Sequence, residues 1–389
     1  MLLDAASGDS RIERVQPMSI FPLLIGLISL TVGAEVLIRG ATALARAAGM
    51  APLVIGLTVV AFGTSAPEVA VGVKAAVAGQ GDVAVGNVVG SNTFNVLFIL
   101  GLAGLAAPLT ASRRLVRFDV PIMIISGLGA WLLAADGTLG LLDGVVLLLA
   151  LGLHTIVTLW LARREPRAGH ASAVNEAAAA PPPRRTGRSL ALAVVLVLAG
   201  LALLVLGARW LVEGAVAIAQ AVGMSDLLIG LTIVAAGTSM PEVATSVMAS
   251  VRGQRDIAIG NVVGSNIFNL LGVLGASAVF AGEGLSVAPA VLRFDLPVMT
   301  AVAVACLPIF FTGGRIARWE AAVFLGYYAA YVGFLVASAS RHDLVEPYSR
   351  VMLWFVVPVT VLGLATSVIA SLRGDREANT RKRHADDPS

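Results

Sequence analysis

Apolar residues run through this chain in long blocks, and polar residues collect in the short gaps between them. A bilayer core takes about 20 apolar residues of helix, so each block reads as a membrane span. In chain order the blocks are Met18–Leu44, Ala51–Gly79, a third after the Gly79-Gln80-Gly81-Asp82 turn, Asp119–Ala135 and Leu139–Leu161. A second series follows at 189–219, 225–252, 255–281, 295–313 and 317–338, and an eleventh run lies at Val351–Leu372. The first block is longer than the bilayer requires and is expected to tilt. Asp119, two residues before Pro121, is expected to cap the fourth span. The predicted fold is an all-α polytopic membrane protein.

Polar residues inside the blocks are few and patterned. Gly63-Thr64-Ser65-Ala66-Pro67-Glu68 lies in the second block, and Gly237-Thr238-Ser239-Met240-Pro241-Glu242 lies 174 residues later. A carboxylate near the bilayer centre costs about 2.5–3.5 kcal/mol on insertion scales, so two at matching positions point to function. On a helix, Thr64, Ser65 and Glu68 share one face. Pro67 has no N–H, which frees the Gly63 carbonyl, and Gly63 loosens the helix there. The product is an oxygen-only ligand set, suited to a hard cation such as Ca²⁺ or Na⁺. The third block carries Gly86-Asn87-Val88-Val89-Gly90-Ser91-Asn92-Thr93-Phe94-Asn95, with Asn87, Ser91 and Asn95 in a stripe at i, i+4 and i+8. Asn87 and Asn92 fit interhelical hydrogen bonding equally well.

The chain repeats itself. Gly49–Gly101 matches Gly223–Gly275 at 35 of 53 positions without a gap. Arg117-Phe118-Asp119-Val120-Pro121 returns as Arg293-Phe294-Asp295-Leu296-Pro297, and the Glu35/Arg39 pair, able to neutralise itself, returns as Arg209/Glu213 with its charges exchanged. Five spans per copy is an odd number, so the second copy is expected to enter the membrane upside down. With the N-terminus outside, nineteen Lys/Arg fall on the cytoplasmic side and six on the other, leaving aside Arg39 and Arg209. The expected organisation is an N-terminal segment (1–17), repeat 1 (18–162), a cytoplasmic linker rich in Ala, Pro and Arg (163–188), repeat 2 (189–340), and an extra span with a charged tail (341–389). That is a ten-helix core of two inverted five-helix repeats plus one extra C-terminal transmembrane helix.

Composition narrows the class further. The chain is 57% hydrophobic and 13% charged, against about 25% charged in soluble domains. Cys306 is the single cysteine, which excludes disulfides and cysteine-based metal sites. The four histidines are scattered, and only His154 falls within a span. Basic residues flank spans rather than forming a patch with aromatics, so no nucleic acid is expected as a partner. No nucleophile–base pair or HExxH pattern suggests an enzyme. No cofactor and no obligatory protein partner is expected; the partners are the bilayer and the ions carried.

Inverted repeats with Gly/Pro-interrupted segments at corresponding positions predict a secondary transporter with its site at the midplane. The candidate ligands are Thr64, Ser65, Glu68, Ser91 and Asn95 with Thr238, Ser239, Glu242, Ser265 and Asn269, and the backbone carbonyls of Ala61 and Ala235. Two carboxylates balance one Ca²⁺ or two Na⁺, the minimum for mutually exclusive binding. The paired G-T-S-x-P-E and G-N-V-V-G-S-N-x-F-N segments resemble the two alpha-repeats of the calcium/cation antiporter superfamily, in particular its bacterial sodium/calcium exchanger branch. The resemblance covers spans one to ten. It implies exchange of Ca²⁺ for Na⁺ by alternating access in the bacterial inner membrane. Spans 2, 3, 7 and 8 would surround the ions, and spans 1 and 6 would slide past them. It places the family's coordinating positions on the twelve residues just named. Members often carry an acidic residue where this chain has Asn269, and the eleventh span falls outside the ten-helix pattern. The alternatives are a Ca²⁺/H⁺ exchanger of the same superfamily and, from another class, an ion channel.

Overall fold

The computed structural model describes residues 17–164, 187–221, 235–311 and 315–340. Most of the expected linker, the start of the seventh span and the eleventh run lie outside the described residues. Among the described residues, seven helices are long and apolar enough to cross a bilayer, and eight if one bent pair counts as a span.

The first half contains α1 (Pro17–Ala48), α2 (Pro52–Thr64), α3 (Ala66–Val77), α4 (Gly81–Ala106), α5 (Leu115–Asp136) and α6 (Leu141–Arg164). Helices α2 and α3 are the bent pair, meeting at 46° around Ser65. Pro67, in the first turn of α3, cannot donate a backbone bond and so forces that break. The second half contains α7 (Gly187–Ala221), a single turn α8 (Ala235–Gly237), α9 (Met240–Val251), α10 (Arg255–Phe280), α11 (Leu296–Phe311) and α12 (Arg318–Ser340). Helices α3 and α9 end alike. Gly79 and Gly253 take φ +72°, and the next amide, of Gln80 or Gln254, reaches back to the Ala75 or Ala249 carbonyl at 2.8 Å. Only glycine adopts that left-handed turn freely.

Helices α4 and α10 lie at the centre, with most of their length buried. Each widens into a π turn beginning at a motif asparagine, Asn95–Leu100 in α4 and Asn269–Val273 in α10. Such bulges release a backbone bond and are frequent at functional sites. At the periphery, α1 and α7 pack antiparallel through glycines spaced seven apart. Gly26, Gly33 and Gly40 meet α7 at positions that run backwards, near Leu211, Leu204 and Val197. From the other side Gly200, Gly207 and Gly214 meet Leu37, Leu30 and Leu23. A Cβ on Gly200 would fall 2.5 Å from the Leu37 backbone nitrogen, so only glycine permits this approach. Two antiparallel two-residue ladders, Leu109–Thr110 with Arg315–Ile316 and Thr138–Leu139 with Leu285–Ser286, tie the halves together.

Two sequence expectations are corrected. Asp119 does not cap the fourth span: the helix starts at Leu115, Asp119 has helical backbone angles, and its side chain makes no cap bond. The carboxylate is instead buried, 3.9 Å from the Arg114 guanidinium, which offsets its charge one turn inside the helix. Nor is the Glu35/Arg39 pair self-contained. Glu35 accepts from Arg39 at 2.7 Å and, through its other oxygen, from Arg252 at the end of α9 at 2.9 Å. The pair Arg209/Glu213 forms as expected, at 2.7 Å.

Candidate functional site

The break at Ser65 stops one helix and starts another in the middle of the apolar core. Glu68 thereby falls in the first turn of α3 and Glu242 in the first turn of α9. A helix N-terminus carries partial positive charge, which favours a carboxylate there. Both glutamates are fully buried, as are Ser65 and Ser239.

The two hexapeptides are cross-wired. Ser65 Oγ donates to Glu242 Oε1 at 2.9 Å, and Ser239 Oγ donates to Glu68 Oε1 at 2.9 Å. Each serine therefore orients the carboxylate of the other copy. Thr238 stands beside the Glu68 carboxylate, and Thr64 and Ser265 beside that of Glu242.

A set of oxygens remains without hydrogen-bond partners: Glu68 Oε2, Ser91 Oγ, Asn95 Oδ1, Thr238 Oγ1, Glu242 Oε2, Ser265 Oγ and Asn269 Oδ1. Six of the seven are pairs related by the 174-residue offset. A buried polar group left unpaired costs about 1–3 kcal/mol, more when charged. Six of these groups sit on α3, α4, α9 and α10, and Thr238 lies in the turn before α9; oxygens of this kind suit a hard cation. Among the described residues, no group of three or more His, Cys, Asp or Glu is placed to hold a metal. Any ion here would meet two carboxylates supplemented by hydroxyl and amide oxygens, the hard-cation chemistry.

Other predicted positions behave differently. The Thr64 hydroxyl is turned to Asn261 Oδ1 at 3.1 Å and to the Ala61 carbonyl at 3.4 Å. That carbonyl also accepts the Ser65 amide at 3.0 Å, so helix bonding already engages it. Ala235 opens the short turn α8 that leads into the second hexapeptide. Asn87 is half-buried and donates to the Glu68 backbone carbonyl at 3.3 Å. Asn261, its counterpart, is fully buried and donates to Ser246 Oγ at 3.0 Å. The sequence reading passes over Asn261 and Asn266, although the same offset that pairs the glutamates points to both. Asn95 Nδ2 donates to Asn266 Oδ1 at 3.1 Å, and Asn269 Nδ2 to Asn92 Oδ1 at 3.2 Å. His154 lies apart, lining an apolar cleft of about 1250 Å³ bounded by α2, α6, α7 and α10.

Known proteins resemble this chain in sequence and fold. A family described as sodium/calcium exchanger protein matches residues 18–160 and 192–337, one segment in each half of the chain. The inner membrane protein YrbG of Escherichia coli is 38% identical over 72% of this chain and 85% of its own length. The sodium/calcium exchanger MaX1 of Methanosarcina acetivorans is 32% identical over 80% of this chain and 96% of its own. Among solved structures, the sodium-calcium exchanger NCX_Mj, soaked with Na⁺ and Sr²⁺, superposes with a TM-score of 0.69 at 28% identity, covering 84% of this chain and 99% of that one. The chain belongs to the sodium/calcium exchanger family.

Proposed function

We propose that this protein exchanges Ca²⁺ for Na⁺ across the bacterial inner membrane by alternating access. The ions bind between two inverted five-helix repeats joined by a cytoplasmic linker (163–188) and followed by an extra C-terminal span, with the N-terminus outside and the C-terminus in the cytoplasm. The observation that carries this reading is the set of unpartnered buried oxygens, contributed by both halves around Glu68 and Glu242. Their charge of −2 balances one Ca²⁺ or two Na⁺, so the two ions compete for one site. Asn269 adds an amide oxygen without adding charge.

Support for the inverted arrangement comes from the reciprocity of the bonds. Ser65 with Glu242 mirrors Ser239 with Glu68, and the α1–α7 packing runs antiparallel through matched glycines. The relatives' names support the ions and the membrane: MaX1 and NCX_Mj are sodium/calcium exchangers, and YrbG is an inner membrane protein. The ligands are Glu68 and Glu242, the hydroxyls of Thr64, Ser65, Ser91, Thr238, Ser239 and Ser265, the amides of Asn95 and Asn269, and the carbonyls of Ala61 and Ala235.

The test uses purified protein in vesicles loaded with defined Na⁺, Ca²⁺ and pH gradients. An outward Na⁺ gradient is expected to drive Ca²⁺ uptake, and a pH gradient alone is not. Uptake driven only by the pH gradient would make the protein a Ca²⁺/H⁺ exchanger, and uncoupled flow of both ions would make it a channel. Glu68→Gln and Glu242→Gln are each expected to insert normally and abolish Ca²⁺ uptake, because half the charge facing a divalent ion is gone.

A further inference from the structure

The amide contacts between α4 and α10 assign a role to two residues outside the ligand set. We propose that Asn92 and Asn266 are positioning residues: they fix which way the Asn269 and Asn95 carboxamides face, so that each aims its oxygen at the ion. The proposal rests on the exchanger reading above.

A carboxamide has a donating end and an accepting end, and a buried one is turned by whatever its neighbours can offer. The constraint starts at the Asn266 backbone carbonyl, which can only accept. It faces Asn92 Nδ2 at 3.3 Å, so Asn92 must direct its Oδ1 elsewhere. That oxygen lies 3.2 Å from Asn269 Nδ2, so Asn269 spends its donor there and turns its own Oδ1 away. Asn269 Oδ1 is buried and unpartnered.

The other half repeats the logic with a softer anchor. Asn266 Nδ2 points at Met123 Sδ, 3.4 Å away, leaving Asn266 Oδ1 to accept from Asn95 Nδ2 at 3.1 Å. Asn95 Oδ1 is again buried without a partner. Asn92 and Asn266 are themselves 3% and 2% exposed, so these bonds lie in the interior. Without them, either amide could rotate and present an N–H to the cation, which would repel it.

The test is a double-mutant cycle on Ca²⁺ binding to the purified full-length protein, followed by Ca²⁺-dependent thermal stabilisation, which also works for variants that do not transport. Asn92→Leu is expected to weaken Ca²⁺ binding about tenfold. In an Asn269→Ser background, where the donor to Asn92 is already missing, the same change is expected to cost less than about twofold. Equal losses in both backgrounds would show that Asn92 does not act through Asn269, and wild-type binding by Asn92→Leu would overturn the proposal outright. If Asn92→Leu fails to insert, the mirror cycle of Asn266→Leu with Asn95→Ser decides by the same criteria. Glu68→Gln separates the two levels. Undiminished Ca²⁺ binding in that variant defeats the site reading itself, whereas lost binding together with additive asparagine effects defeats positioning alone.

Discussion

Ser65 and Ser239 are small residues placed one turn ahead of a carboxylate, yet neither serves the carboxylate of its own copy. Each donates 2.9 Å across to the other half. A hydrogen bond to a charged group contributes about 1.5–3 kcal/mol, so Ser65→Ala and Ser239→Ala should each raise the half-saturating Ca²⁺ concentration by about 10- to 100-fold. The two losses should be similar, since the bonds are mirror images. Radiolabelled Ca²⁺ uptake across a concentration series measures this, and a loss confined to one serine would show that the halves do not share the ion equally. The hexapeptides were legible in the sequence because a carboxylate, hydroxyls and proline stand out against hydrocarbon. What stayed hidden is that the serines cross over. Spacing along one helix describes only that helix, and the exchange of partners exists only once α3 and α9 meet.

At the scale of the element, the repeated feature is a close approach rather than a ligand. Helices α1 and α7 touch through Gly26, Gly33 and Gly40 on one and Gly200, Gly207 and Gly214 on the other. Lipid tails are as apolar as leucine, so what holds two helices together in a membrane is the fit of small residues. Gly200→Leu should force the pair apart, costing about 1–3 kcal/mol as overpacking does, and lower the unfolding temperature in detergent. Gly326→Ala, on an exposed face of α12 with nothing within 4 Å of a built Cβ, should be neutral or raise it through helix propensity. Equal behaviour of the two variants would remove the glycine contact as the cause. Within the described residues the apolar blocks reappear as helices, because their length is set by the bilayer and leaves little choice. The π turns at Asn95 and Asn269 were not legible, since an extra residue per turn leaves no mark on an all-apolar pattern. The start of α5 was misjudged for a related reason: Asp119 resembles a cap in sequence, and only the fold supplies Arg114 beside it.

At the scale of the whole molecule, the described surroundings of α1 and α7 differ. On one side α1 is tied to the end of α9, where Arg252 shares Glu35 with Arg39. The position equivalent to Arg252 in the first half is Ala78, which offers no such bond. On the other side α7 touches α2 where Leu201 packs on Gly63, and beside that contact lies the cleft of about 1250 Å³, lined by Leu57 and Phe62 of α2 and Leu198 and Val205 of α7. Under the proposed alternating access, a site open to one side needs its two symmetry-related seams in different states. If α1 and α7 travel together, the seam at α9 opens as the cleft at α2 closes. Two crosslinks made in a Cys306→Ser background separate this from independent motion. Ser29→Cys with Leu203→Cys joins α1 to α7 at the contact where the Ser29 hydroxyl donates to the Leu203 carbonyl at 2.8 Å. Oxidation of that pair should leave Na⁺-driven Ca²⁺ uptake largely intact. Glu35→Cys with Arg252→Cys, bridged by a short bifunctional reagent, joins α1 to α9 and should stop uptake until the bridge is reduced. Uptake that survives the α1–α9 bridge would place the moving part within α2, α3, α4, α9 and α10. Uptake lost to the α1–α7 bridge would show that those two helices slide past each other rather than as one body.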